Sequence, residues 1–381
     1  MRKLIYVIIV ICFLDLFVQF PIVTPYALEL GASEFMASIV VATYSVTNLL
    51  GNVIGGYASD RFGRKRTLVL GMFLQVLIIS TYVTSPSIAL LLGIRIVHGF
   101  TSGMITPAAF SLVQDVSRRE AIGKAMALTG VSIGLAAVFG PATSGIISSI
   151  YGYSNTYLLL AIVYVIGLLL TLVAVKESTT TQSRKEYKDT SWTTLITRRP
   201  LVIAYIASLS LMTSMGALSF ALPIKTMSLN LDDRVTGMLL SVFGITAIIV
   251  FGTPLNNMFN KVTANILIKI GLVVISLAML TIHFAENLSI LYLALGVYGV
   301  GYALVFPSMN KLIGQFTSLN ERGKANGIFY AFFSIGSVVG STLAGYFTKL
   351  FTIPFFGMTV VLLILLIVFS ILDKGIDFIE V

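Results

Sequence analysis

Residues 56–66 read Gly56-Tyr57-Ala58-Ser59-Asp60-Arg61-Phe62-Gly63-Arg64-Lys65-Arg66, a basic run with one acid. No charged residue occurs between Glu34 and Asp60, and none between Arg66 and Arg95. Each uncharged flank is long enough to cross about 30 Å of hydrocarbon as a helix. Strands spanning a membrane would instead alternate over about ten residues. The pattern is that of two membrane helices joined by a short charged loop.

The rest of the chain follows the same pattern. Of 381 residues, 57% are hydrophobic and 11% charged, against about a quarter charged in soluble domains. Lipid must then be the solvent, and there only helices or closed barrels satisfy their own backbone. The net charge of +9 does not point to nucleic acid, because the basic residues lie in short loops between apolar spans. One cysteine, Cys12, excludes a disulfide framework and reads as a small packed hydrophobe. Two histidines with no intramembrane carboxylate cluster predict no metal site. No cofactor-binding loop or activated nucleophile points to an enzyme. The N-terminal apolar run continues to about residue 27 with no small-x-small cleavage site, so it is expected to be a retained helix.

Twelve spans are expected, at 4–27, 34–58, 67–85, 88–113, 122–148, 154–175, 200–222, 235–255, 264–283, 288–312, 324–347 and 354–373. With the N-terminus inside, 21 Lys and Arg fall on the cytoplasmic side and three outside (Lys225, Arg234, Lys349), which places both termini in the cytoplasm. The hydrophilic stretch 176–199 reads as a linker between an N-terminal bundle, 1–175, and a C-terminal bundle, 200–381. Gly99, Pro107, Gly123-Lys124-Ala125, Gly140 and Gly145 recur 200 residues later as Gly299, Pro307, Gly323-Lys324-Ala325, Gly340 and Gly345. A parallel repeat of six helices is therefore expected, with any binding site between the halves near the midplane.

The loop quoted first resembles the signature loop of the major facilitator superfamily, a glycine followed by D-R-x-G-R-R/K. That resemblance implies an all-α fold of twelve transmembrane helices in two pseudo-symmetric six-helix bundles, usually monomeric. It also implies a cytoplasmic latch built from Gly56, Asp60, Arg61, Gly63 and Arg64. In the family the aspartate approaches the start of helix 11, and the arginines engage an acid near helix 4, for which Asp115 is the counterpart. At the matching place in the second half the acid is replaced by Asn256, so a weak latch is expected there. Two further stretches resemble the proton-coupled drug-exporter branch. Arg95 is followed by Gly99 and Gly103, with His98 where glutamine is usual, and Gly140-Pro141-Ala142-Thr143-Ser144-Gly145 resembles its Gly-Pro-x-x-Gly-Gly motif. Gly140, Pro141 and Gly145 are expected to let helices approach closely.

Asp15 is the one acid well inside a span, where an ionised carboxylate costs about 2.5–3.5 kcal/mol on insertion scales. Its expected partner is Arg95, with His98 as a second titrating group, and the three form the candidate proton-coupling set. The expected cavity lining is Gln19, Tyr44, Asn48, Tyr298, Tyr302 and Asn310. The expected function is export of small organic molecules, amphipathic or cationic, by proton antiport with alternating access. Its partners are then the small-molecule substrate, protons and the lipid bilayer of the cell membrane. The same fold also suits a transporter of a specific metabolite, metallophore or lipid precursor, or a sensor that moves nothing.

Overall fold

The computed structural model describes residues 2–84, 87–116, 122–177, 190–253, 255, 258–318, 321–351 and 354–374. No strand occurs among the described residues. Among the described residues, eleven helices are long and apolar enough to span a membrane, and twelve if the bent first pair is one span.

That first helix, α1, runs Arg2–Gln19 and continues after a 42° bend as Val23–Glu29. Pro21 supplies the physical cause, since it has no N–H to donate and its ring crowds the carbonyl four residues back. The chain tightens there into i→i−3 bonds, Phe20 N to Phe17 O and Ile22 N to Gln19 O. In α2, Glu34–Phe62, the side chain of Ser33 caps Met36 N at 3.2 Å. The helix extends past the expected end at residue 58, so the signature stretch is helical on both sides of one residue, Gly63. Its φ of +112° lies in the region open to glycine, and α3, Arg64–Ser80, starts directly after it. Glu177 Oε1 accepts from the first amides of α3, Arg64 N at 2.8 Å and Lys65 N at 3.4 Å.

The remaining helices of the first half are α4 (Ile88–Asp115), α5 (Ile122–Tyr151) and α6 (Tyr153–Ala174). The second half comprises α7 (Arg199–Ser228), α8 (Asp233–Gly252), α9 (Ala264–Phe284), α10 (Leu288–Gln315), α11 (Arg322–Phe351) and α12 (Phe355–Leu372). A short helix, Trp192–Thr197, occupies part of the stretch expected to be linker. Residues 178–189 of that stretch, Pro86 in the turn before α4, and Asn256 lie outside the described residues.

Packing repeats between the halves. α2 lies on α4 as α8 lies on α10; α1 on α5 as α7 on α11; α3 on α6 as α9 on α12. Lipid gives helices little hydrophobic reason to associate, so close contact rests on small residues. A Cβ on Gly99 would stand 2.0 Å from Tyr44 O, and one on Gly299 2.6 Å from Phe243 O. Likewise a Cβ on Gly140 would meet Phe17 Cβ at 2.8 Å, and one on Gly340 would meet Thr213 O at 2.1 Å. The repeated glycines hold the same helix crossings in each half. The halves meet along α2 with α11 and along α5 with α8.

Candidate functional site

Asp15 sits in α1 with no exposed surface, and four helices supply its partners. Oδ1 accepts from Gln19 Nε2 at 2.9 Å and lies 3.0 Å from His98 Nε2. Oδ2 accepts from Gln75 Nε2 of α3 at 2.9 Å and from Tyr44 Oη of α2 at 3.2 Å. Both carboxylate oxygens are satisfied, which is the condition for keeping such a group away from water. His98, also without exposed surface, has its second nitrogen 2.9 Å from Tyr82 Oη. With Nε2 protonated it donates to the carboxylate while Nδ1 accepts from the phenol.

The direct Asp15–Arg95 pair expected from the sequence does not form. Gln19 stands between them: its Nε2 donates to the carboxylate and its Oε1 accepts from Arg95 Nη1. The guanidinium also donates to Val40 O at 3.2 Å and Val41 O at 3.4 Å, and lies 4.6 Å over the Tyr44 ring. The local cause is that backbone carbonyls of α2 and the Gln19 amide intercept the guanidinium before it reaches α1's acid.

Beside this network, between the halves, is a cavity of about 40 Å³. It has room for water but not for an organic ligand, whose pockets run to roughly 300 Å³ or more. Of the expected lining residues, Tyr44 and Asn48 face it. The other four do not in this conformation: Gln19 bridges Asp15 and Arg95, Tyr298 bonds Ser214 at 2.8 Å, Tyr302 stacks on Phe306, and Asn310 donates to Phe306 O. Ser45, Asn52, Ser102, Ser334 and Ser337 supply the polar wall instead. Asn52 Nδ2 donates to Ser334 Oγ and Tyr330 O, both at 3.1 Å, and Ser45 donates to Ser337 Oγ at 2.8 Å, so α2 and α11 are joined by uncharged hydrogen bonds.

At the basic end of the bundle Asp60 Oδ2 accepts from the backbone N–H of Lys324, in the first turn of α11, at 2.9 Å. A carboxylate is favoured there by the unpaired amides and dipole of the helix start. Its other oxygen bonds Arg64 Nη1 at 2.5 Å, and Arg64 Nε donates to Asp115 Oδ2 at 3.0 Å. Arg322 Nη1 stands 4.0 Å from Asp115 as well, so one acid of α4 faces cations from both halves. Gly56 permits the crossing, since a Cβ there would meet Gly323 O at 2.7 Å. Arg61 lies apart from this set: it is exposed, bonds Tyr57 Oη and lies over the Tyr57 and Phe62 rings.

Gly140, Pro141 and Gly145 lie where α5 crosses both α1 and α8. A Cβ on Gly237 of α8 would stand 2.4 Å from Pro141 O and 3.4 Å from Gly145 Cα. Sequence reasoning passed over Gln75, Tyr82, Asn52 and Ser334, although each is a polar group inside an apolar span. It also passed over the role of Lys324, which is 1% exposed and whose ammonium bonds Thr190 O at 3.1 Å and lies 5.1 Å over Trp192.

This architecture has relatives. The multi-drug resistance efflux pump PmrA homolog of Lactococcus lactis is 25% identical over 345 residues, covering 86% of this chain and 84% of that protein. The quinolone resistance protein NorA of Staphylococcus aureus is 21% identical over 355 residues, covering 91% and 90%. Among solved structures, the human organic anion transporter MFSD10 superposes with a TM-score of 0.79 at 16% identity, over 97% of this chain and 98% of that one. A POT family transporter in complex with a thioalcohol-conjugated peptide gives 0.79 at 12% identity, over 98% and 96%. The Major Facilitator Superfamily model matches residues 5–316 and 204–375, and with twelve helices in two repeated bundles the chain belongs to that superfamily of membrane transporters.

Proposed function

We propose that the protein is a proton-coupled secondary transporter that exports small organic, amphipathic molecules by alternating access. In this reading it is a monomer in the cell membrane with its basic end and both termini in the cytoplasm. Residues 1–175 and 200–381 move against each other about the segment 176–199. The observation that carries the reading is Asp15, a fully buried carboxylate held by uncharged donors and one imidazole beside the space between the halves. A carboxylate kept in such a place is a recurrent mark of proton coupling in membrane carriers. The similarity to two efflux proteins supports export.

In the proposed cycle Asp15 takes a proton when the site opens outward, and cargo leaves. It gives the proton up when the site opens inward, and cargo binds. The Asp60–Arg64–Asp115 latch holds the inward side shut between those events, and its contacts across α11 must break for the cytoplasmic side to open.

The experiment is uptake of lipophilic dyes and cations into inverted vesicles under an imposed pH gradient, wild type against Asp15→Asn. Gradient-driven accumulation in the wild type and its loss in the variant are expected. Full gradient-driven accumulation in the variant would sink the assignment of Asp15.

A further inference from the structure

Tyr44 stands between the buried carboxylate and the cavity. Its hydroxyl is 3.2 Å from Asp15 Oδ2 and 2.7 Å from Ser102 Oγ. Tyr44 and Ser102 line the cavity, whereas Asp15 has no exposed surface. A phenol carries one proton, so it donates to one of these oxygens and accepts from the other. While Asp15 is ionised, the carboxylate can only accept, and a charge-assisted bond draws the Tyr44 O–H toward it. Ser102 then donates to Tyr44 Oη and turns its lone pairs to the cavity. When Asp15 is protonated at Oδ2, the carboxyl O–H donates to Tyr44 Oη. Tyr44 in turn donates to Ser102, whose own proton swings to the cavity.

We propose that Tyr44 and Ser102 form a hydrogen-bond inverter, which reports the protonation of Asp15 to a ligand that never touches it. The cavity presents an acceptor at Ser102 when Asp15 is ionised and a donor when it is protonated. An uncharged ligand that donates a hydrogen bond there, through a hydroxyl or amide, is held in the first state and released in the second. No charge at the cavity wall is needed, and the polar groups found there (Ser45, Asn48, Asn52, Ser334 and Ser337) are uncharged. Asn48 is already committed, with its amide N–H on Gly99 O and its oxygen accepting from Asn52 and Ser334. The inverter rests on Asp15 being the proton site and adds how cargo senses that proton. The proton on Asp15 comes from water and returns to water; within the Tyr44–Ser102 pair only the O–H directions change.

The titratable and charged groups around Asp15 are Cys12 on α1, Tyr44 on α2, Tyr82 after α3, Arg95 and His98 on α4, and Tyr157 and Tyr164 on α6. His98 is the competitor, 3.0 Å from Oδ1. A proton that settles on its imidazole leaves the carboxylate ionised, and Tyr44 does not turn.

The test is infrared difference spectroscopy of the full chain in lipid vesicles, with ring-labelled tyrosine, titrated from about pH 4 to about pH 10 to bracket carboxyl and imidazole groups. Tyr44→Phe, which keeps the ring, identifies the Tyr44 C–O band. Asp15→Asn identifies the protonated carboxyl band; if that variant fails to assemble, Asp15→Glu shifts the band and serves equally. The expected result is that the carboxyl band and the Tyr44 band move with one midpoint, and that the Tyr44 band is fixed in Asp15→Asn. A Tyr44 band that stays still while Asp15 titrates overturns the inverter and leaves Asp15 as the proton site. Imidazolium bands of His98 rising while the carboxylate persists also overturn it. Titration of neither group overturns both the inverter and the proton-coupling reading.

Discussion

Asp60 and Lys324 are 264 residues apart, yet the side-chain oxygen of one accepts from the backbone amide of the other at 2.9 Å. The bond joins the end of α2 to the start of α11 and so ties the first half to the second. It forms because Gly323 has no side chain: a Cβ there would lie 2.2 Å from Asp60 Oδ1.

Gly323→Ala is therefore expected to push Asp60 off the start of α11 and loosen the latch without removing a charge. Cys12 lines the cavity between the halves, so its reaction with N-ethylmaleimide reports how often they part. A loss of about 1.4 kcal/mol at the latch corresponds to a roughly tenfold faster reaction. An unchanged rate would mean that the Asp60 contact does not hold the halves together.

His98→Gln should keep the fold, because a glutamine amide can still donate toward Asp15 Oδ1, 3.0 Å from the present imidazole nitrogen. What it removes is one titratable group from the network. With Asp15 as the proton site, the variant should retain gradient-driven transport with the pH profile of the wild type. A profile that loses an ionisation would move proton coupling from Asp15 to His98.

The glycines at helix crossings should be far less tolerant than those facing open space. Gly99→Ala places a Cβ 2.0 Å from Tyr44 O, whereas one at Gly93 on the same helix meets nothing within 4 Å. Overpacking of this kind costs about 1–3 kcal/mol, and Gly93→Ala should be neutral or slightly stabilising. Thermal unfolding of the two variants in detergent compares them directly, and equal melting points would refute the packing account.

Glu321 precedes α11 outside the spans. Burial raises its pKa, but hydrogen bonds from Arg198 at 2.7 and 3.2 Å and from Ser318 N at 3.1 Å outweigh that and hold it below its ordinary 4.5. A depressed carboxyl stabilises the fold above the unfolded-state value, and that contribution is lost as pH falls through the lower folded value. Glu321→Gln should lower the melting temperature at neutral pH by an amount worth about 1 kcal/mol or less. The gap between wild type and variant should close in acid below about pH 4. A gap that persists there would trace to packing rather than charge.

The sequence by itself determined the solvent, the helices and the repeat. Charge-free stretches of span length leave no other class open, and glycine and proline recurring at one offset mark two equivalent bundles. The resemblance of residues 56–66 to the family's signature loop named Asp60, Arg64 and Asp115 as one set, and the structure brings their side chains into contact. Arg61, in the last turn of α2, was not separable from Arg64, because it is the turn at Gly63 and the start of α3 that aim Arg64 at Asp60 and Asp115. The same limit governed the midplane. A helix in lipid is apolar all round, so no polar stripe tells which face turns to the cavity. Asp15 was visible as an anomaly, but its neighbours Gln75, Tyr44 and His98 come from three other helices, and their convergence depends on how those helices are rotated and crossed. Tertiary packing alone placed Gln19 between Asp15 and Arg95, and set Tyr44, with one proton for two oxygens, at the boundary between the acid and the cavity.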